Sequence, residues 1–252
     1  MEETENSDQL HRGSRAEEVA EWFFRLNGFF LIPGFIVHPD YRQPFPRTEA
    51  DLLGIRLKDS AEGFQSKSER GGQKKSYRPM VDHHRLIGAG KNGTVRKHLV
   101  AMVEVKAGLA AINGPWSDVR SGNMARALRR VGFGNRQEID VASASMYERL
   151  RYVGPDFIVQ YFSVCGSRNP ELTDRYPDLI QITFEEISEF LRDRFVRFPQ
   201  KIPENASCSM WRGFGYEFMR WFERASWGKE EAPSAARCFT ALRHYIDQGT
   251  AS

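Results

Sequence analysis

A carboxylate and an ammonium stand two residues apart near the end of an otherwise apolar run, His98-Leu-Val-Ala-Met-Val-Glu-Val-Lys-Ala-Gly108. Leu99, Val100, Met102, Val103 and Val105 predict a strand buried on both faces and ended by Gly108. Side chains alternate along a strand, so Glu104 and Lys106 share a face, one repeat apart. Charge is costly on a packed sheet unless a partner or an ion meets it. A second apolar strand is expected over Thr48–Leu57, with Asp51 just ahead of its apolar core. An Asp on one strand and Glu-x-Lys on the next can hold a magnesium ion between two carboxylates. The lysine then sits beside the water that the ion activates.

Several elements must position these groups. Ala16, Val19, Ala20, Phe23, Phe24 and Leu26 recur at helical spacing and predict a helix packed on a sheet. Ser14 and Glu17 have the spacing of a capping box. Glu17 and Glu18 fall in the first turn, where acids favour the positive helix end. Phe29–Val37 reads as a strand pair or a bent strand about Pro33-Gly34. Pro39, Pro44 and Pro46 make the following segment an extended loop, with Tyr41 and Arg42 at a cleft mouth. Glu49 shares a strand face with Asp51 and reads as a solvated strand start, or else as an alternative or additional acid.

Residues 58–97 change character, with Lys67, Arg70, Lys74, Lys75 and Arg78 spaced by Gly, Ser and Gln. They predict a long loop or hairpin inserted between the two strands, either solvated or acting as a basic flap on phosphates. His83-His84 has no third ligand at a useful spacing, and Gly88–Gly93 lacks the spacing of a phosphate loop. Beyond Gly108 a loop leads to a helix over Asn123–Gly132 carrying Arg126, Arg129 and Arg130. These three grip a phosphodiester backbone or form a plain solvated face. A helix over Arg136–Tyr152, a buried strand over Asp156–Val164 with Gln160 as a satisfied amide, and a short strand Leu179–Thr183 follow. Thr183 and Glu186 form a capping box for a helix through Phe195. Met210, Phe214, Phe218, Trp221 and Phe222 make an aromatic stripe that must pack on the core or on a second copy of the chain. Ser234–Ile246 is a last amphipathic helix.

The order of these features resembles the PD-(D/E)xK nuclease superfamily, the restriction-endonuclease-like fold: helix with Glu, strand with Asp51, strand with Glu104-Val105-Lys106, helix, strand. The resemblance covers roughly residues 14–165. No Pro precedes Asp51, a departure shared by many members. It implies an α/β fold with a mixed central sheet flanked by helices and C-terminal helical additions. It also implies a metal-dependent nuclease acting on DNA in preference to RNA, an endonuclease of restriction, repair or defence. Asp51, Glu104 and the Val105 carbonyl would bind Mg²⁺, or Mn²⁺ in its place. Glu17 would reach toward the metal or its waters, and Lys106 would orient the attacking water. Arg126, Arg129, Arg130, Lys74 and Lys75 are the expected phosphate contacts, and a homodimer would suit cutting of both strands. Two other readings stand beside this one. One is a non-catalytic nucleic-acid-binding or scaffold protein that keeps the fold. The other is an unrelated domain in which Glu104 and Lys106 form a structural ion pair, with Asp51 far from both.

Composition sets the outer bounds. The chain has 252 residues, 40% hydrophobic and 27% charged, with a net charge of +3, which is an ordinary globular balance that permits a nucleic-acid partner without demanding one. Cys165, Cys208 and Cys238 show no paired spacing, which argues against a disulfide framework or a zinc ribbon. The acidic start, Met1–Asp8, is unlike a targeting peptide, and the expected location is cytoplasmic. Residues 1–13 read as a leader, 14–200 as the nuclease-like core and 201–252 as a helical extension.

Overall fold

The structure, a computed structural model, describes residues 15–37, 48–60, 63–67, 73–77, 97–132, 134–197 and 233–248. The leader, Ser14, Tyr41, Arg42, Arg70, Arg78, the 83–93 segment and the Phe214–Phe222 stripe, with the homodimer argued from it, lie outside these residues.

A mixed sheet of six strands organises the chain, with helices on both faces. Its strands are β1 (Phe29–Val37), β2 (Thr48–Arg56), β5 (His98–Leu109), β6 (Arg151–Val153), β7 (Phe157–Ser167) and β8 (Ile180–Thr183). The order is β1-β2-β5-β7, and β6 and β8 share the far side of β7. β1 with β2 and β2 with β5 pair antiparallel, whereas β5 and β7 are parallel. A parallel pair needs a long crossover. Helices α3 (Asn123–Val131) and α4 (Arg136–Arg149) lie within that connection, and a short helix α5 (Pro170–Arg175) follows β7. β3 (Gly63–Lys67) and β4 (Gln73–Tyr77) form a separate antiparallel hairpin between β2 and β5.

Two apolar layers hold the sheet. α1 (Arg15–Leu26), α6 (Phe184–Arg197) and α7 (Ala235–Gln248) cover one face, with Phe24, Phe184 and Leu242 packed on Leu52, Val103 and Phe162. α3 and α4 cover the other through Met124, Leu128, Ile139 and Met146 over Leu53, Met102 and Val159. Full burial of strand residues such as Leu99 to Val103 on both sides explains why β5 reads as an unbroken apolar run. The reciprocal Thr183–Glu186 capping box forms as the sequence predicts, with both backbone N–H groups satisfied by the other side chain. Ser234 caps α7 through the Arg237 N–H.

Three local expectations are corrected. The fourth helix ends at Arg149 rather than Tyr152, and Arg151–Val153 instead pairs with β7. Leu150 makes the change of direction in a left-handed conformation, φ 59°. Its complete burial offsets a backbone strain that periodicity cannot reveal. The segment before α3 holds a short helical turn, α2 (Gly114–Ser117), begun by Pro115 at its N-terminus. Gln160 is only half satisfied: its amide nitrogen donates to the Asp178 carbonyl at 2.8 Å, but its buried Oε1 has no partner. Among the described residues no helix is long and apolar enough to cross a membrane.

Candidate active site

The antiparallel ladders come apart where the chemistry-bearing residues lie. β1 and β2 pair from Phe29↔Arg56 to Pro33↔Leu52 and resume at Phe35↔Ala50, which leaves Gly34 and Asp51 out of the ladder. Gly34 takes φ +58°, a conformation that glycine adopts without a Cβ clash. The alternation slips there too. Ala50 faces the same layer as Leu53, while Leu52 faces the opposite layer. β2 and β5 stop pairing at Leu52↔Val103. The next pair along would be Asp51 and Glu104. In place of a backbone partner, the Val105 N–H donates to Asp51 Oδ2 at 2.6 Å. The carboxylate thus closes the ladder and is fixed beside the Glu-x-Lys strand.

Glu104 and Lys106 meet on one face, as alternation requires. Lys106 Nζ donates to Glu104 Oε1 at 2.6 Å. The two are unequally exposed: the Lys106 side chain is 42% accessible and Glu104 only 3%. The ammonium therefore meets solvent from above while the carboxylate is held beneath it. The Tyr161 hydroxyl, buried on β7, donates to Glu104 Oε2 at 3.4 Å. Both Glu104 oxygens are thereby engaged, one by a cation and one by a neutral donor.

The electrostatics are those of crowded acids. Burial raises the Asp51 pKa to about 6, with the charges of Glu104 and Glu17 adding to it against the Val105 hydrogen bond and Lys106. Burial also raises Glu104, although Lys106 and Tyr161 pull the other way. Burial works to lower Lys106, but the hydrogen bond and charge of Glu104, with Asp51 and Glu17 behind them, outweigh it and hold the ammonium above its usual pKa. Tyr161 is raised well above the ordinary phenol by burial and by the neighbouring carboxylates. Lys106 is thus a cation throughout the neutral range, and the acids compete for protons.

The first turn of α1 assigns its two acids different neighbours. Glu17 acts on Asp51, Glu104 and Lys106 through its charge. Glu18 accepts the Tyr245 hydroxyl of α7 at 2.6 Å. The side chain of Glu49 lies exposed over Gly34, and its carbonyl accepts Trp116 Nε1 at 3.0 Å.

The expected phosphate contacts are dispersed. Arg126 donates to the Ser121 carbonyl at 2.8 Å, and Arg129 faces Asp140 at 3.8 Å. Arg130 reaches the Ile36 carbonyl at 2.9 Å and stacks over Phe35. Lys74 and Lys75 lie on β4 opposite Ser66 and Gln65, and their side chains fall outside the described residues. Arg243 and Tyr161 are neighbours of the site that sequence reasoning missed. Arg243 of α7 reaches the carbonyl of Ala107, next to Lys106, at 3.4 Å. Only the long-range packing of α7 and β7 brings them there.

Among the described residues no group of three or more His, Cys, Asp or Glu side chains could hold a metal ion between them. A magnesium site needs fewer, since it keeps several waters beside one or two carboxylates. No model of a known protein family, no curated protein and no solved structure matches the chain.

Proposed function

We propose that this protein is a metal-dependent nuclease that hydrolyses phosphodiester bonds of DNA, built on a restriction-endonuclease-like core. One observation carries this reading: Asp51, Glu104 and Lys106, from two strands, converge where the ladder between those strands ends. The order of helix, antiparallel strands, crossover helices and parallel strand supports the same family resemblance.

The donor set fits a hard divalent cation. Asp51 and Glu104 are oxygen donors; burial, with the charges of Glu104 and Glu17 adding to it, raises the Asp51 pKa to about 6, and a cation would offset the same cost of holding negative charge there. Asp51, Glu104 and the Val105 carbonyl would hold Mg²⁺, or Mn²⁺. The bound ion would supply Lewis-acid polarisation of the phosphate and a more acidic water. The chain's own groups do the rest. Lys106, half open to solvent and permanently charged, orients the attacking water and meets charge developing on the phosphate. Asp51 is steadied by the Val105 N–H, and Glu104 by Tyr161, so neither must reorganise as substrate arrives. A purely structural Glu104–Lys106 pair would leave Asp51 remote, and the 2.6 Å bond to Val105 argues against that.

Incubation with plasmid, linear duplex and single-stranded DNA, with and without Mg²⁺, tests the assignment. Mg²⁺-dependent cleavage leaving 5′-phosphates is expected. Intact substrates in Mg²⁺ and in Mn²⁺ would overturn it.

A further inference from the structure

We infer that Arg130 and Arg243 form a two-sided clamp for the phosphates flanking the bond to be cut, so that a DNA backbone crosses the end of the sheet from α3 to α7. This rests on the nuclease function proposed above and adds the substrate path.

The two arginines come from helices on opposite faces of the sheet. Arg130 comes from α3. It lies over Phe35, whose ladder partner Ala50 adjoins Asp51, and donates to the Ile36 carbonyl. This is the face that Glu104 and Lys106 share with Met102 and Tyr161. Arg243 comes from α7 on the other face and donates to the Ala107 carbonyl, beside Lys106. α7 is fixed in place by the Tyr245–Glu18 hydrogen bond to the helix that carries Glu17.

Their partners differ from those of the acid-paired arginines, and of the arginines held by a carbonyl these two, unlike Arg192 on Pro233, reach the strands that carry the acids or their ladder partners. Arg129, Arg149 and Arg168 each face a carboxylate: Asp140, Asp178 and Glu186. Among the described residues, Arg130 and Arg243 are held by a neutral carbonyl and neither is paired with an acid. A carbonyl fixes the fork of a guanidinium yet leaves its charge uncompensated, which suits a planar cation that recognises phosphate. Two such charges on either side of an acidic cluster counter the repulsion that the cluster exerts on a polyanion. They also match a chain of phosphates better than a single small phosphoester.

Binding of a fluorescein-labelled DNA duplex in EDTA, measured by anisotropy across a salt series, tests the clamp. Each phosphate contact contributes about one unit to the slope of log affinity against log salt. Arg130→Ala and Arg243→Ala should each flatten the slope by about one unit, and the double variant by about two. Arg130→Lys and Arg243→Lys should restore it, because they keep the charge. Arg149→Ala, already neutralised by Asp178 at the far edge of the sheet, should match the wild type. Unchanged slopes for both alanine variants would overturn the clamp, and a change for only one would overturn its two-sided form. A slope change seen on an RNA duplex and not on DNA would overturn the choice of substrate. Wild-type cleavage in Mg²⁺, assayed on the same preparation, separates the two claims. Cleavage with unchanged slopes removes the clamp alone. Flattened slopes without cleavage keep the clamp and remove the nuclease.

Discussion

At the scale of single residues, the proposed site would set protons against a cation for a few buried carboxylates. The Asp51 pKa is raised from 3.8 to about 6, so folding favours its protonated form. The sign follows directly: the stability this group lends is fully present below 3.8 and is lost as pH rises through about 6. Thermal melts in EDTA should therefore show a decline across that window, and Asp51→Asn should flatten it. If magnesium binds as proposed, it would compete for the same oxygens, so its affinity should climb up to about tenfold per pH unit below about 6 and level off above. Calorimetric titration at several pH values reads this, and a pH-independent affinity would exclude Asp51 as a ligand. Tyr161 gives a second prediction. Tyr161→Phe removes a donor from Glu104 while keeping the ring in the core. It should weaken metal binding by about 1 kcal/mol, roughly fivefold in Kd, with a smaller effect on the melt. The acids and lysine of this site were legible because a charge in an apolar strand needs a reason. The choice between Glu17 and Glu18 was not. Both lie in one helical turn, and only the placement of α7 shows which one is already taken by Tyr245.

At the scale of elements, the site depends on where strands part and where they cannot. A Cβ on Gly166 would come within 2.3 Å of the Ala107 carbonyl oxygen, a backbone atom that no rotamer change can move aside. Gly166→Ala should push β7 from β5 just past Lys106, costing about 1–3 kcal/mol and several degrees in Tm. Cleavage should fall with it, because the strand that presents Glu104 and Lys106 shifts. Gly108, in the neighbouring strand, meets nothing within 4 Å and makes a matched control. Gly108→Ala should stay within about 0.5 kcal/mol of the wild type. Equal melts for the two variants would contradict this packing. Strand β5 was legible because burial on both faces writes a continuous apolar run. The irregularity at Gly34 was legible in Pro33-Gly34, but its placement opposite Asp51 was not, since it depends on the pairing register of two strands. The end of α4 was missed for a related reason: Leu150 continues the apolar period of the helix while its backbone leaves it.

At the scale of the whole molecule, the sheet brings together groups that are distant in sequence. α1, β2 and β5 deliver Glu17, Asp51 and the Glu104–Lys106 pair to one place, and α3 and α7 reach it from either face. The α/β class could be read from alternating apolar strands and amphipathic helices. The sheet order could not, because the β5–β7 pairing spans three helices and leaves no local trace. The most direct test of the central claim separates metal binding from chemistry. Mg²⁺ titration by calorimetry and plasmid cleavage should be measured together on the wild type, Glu104→Gln and Lys106→Ala. A nuclease site predicts that Glu104→Gln loses both. Lys106→Ala should bind Mg²⁺ as tightly as the wild type or more so, because a neighbouring positive charge is gone, and yet cut nothing. A structural ion pair predicts the reverse for Lys106→Ala: Glu104, only 3% accessible, is left as a stranded buried charge and several kcal/mol of stability are lost. Destabilised variants whose cleavage is intact would contradict the assignment.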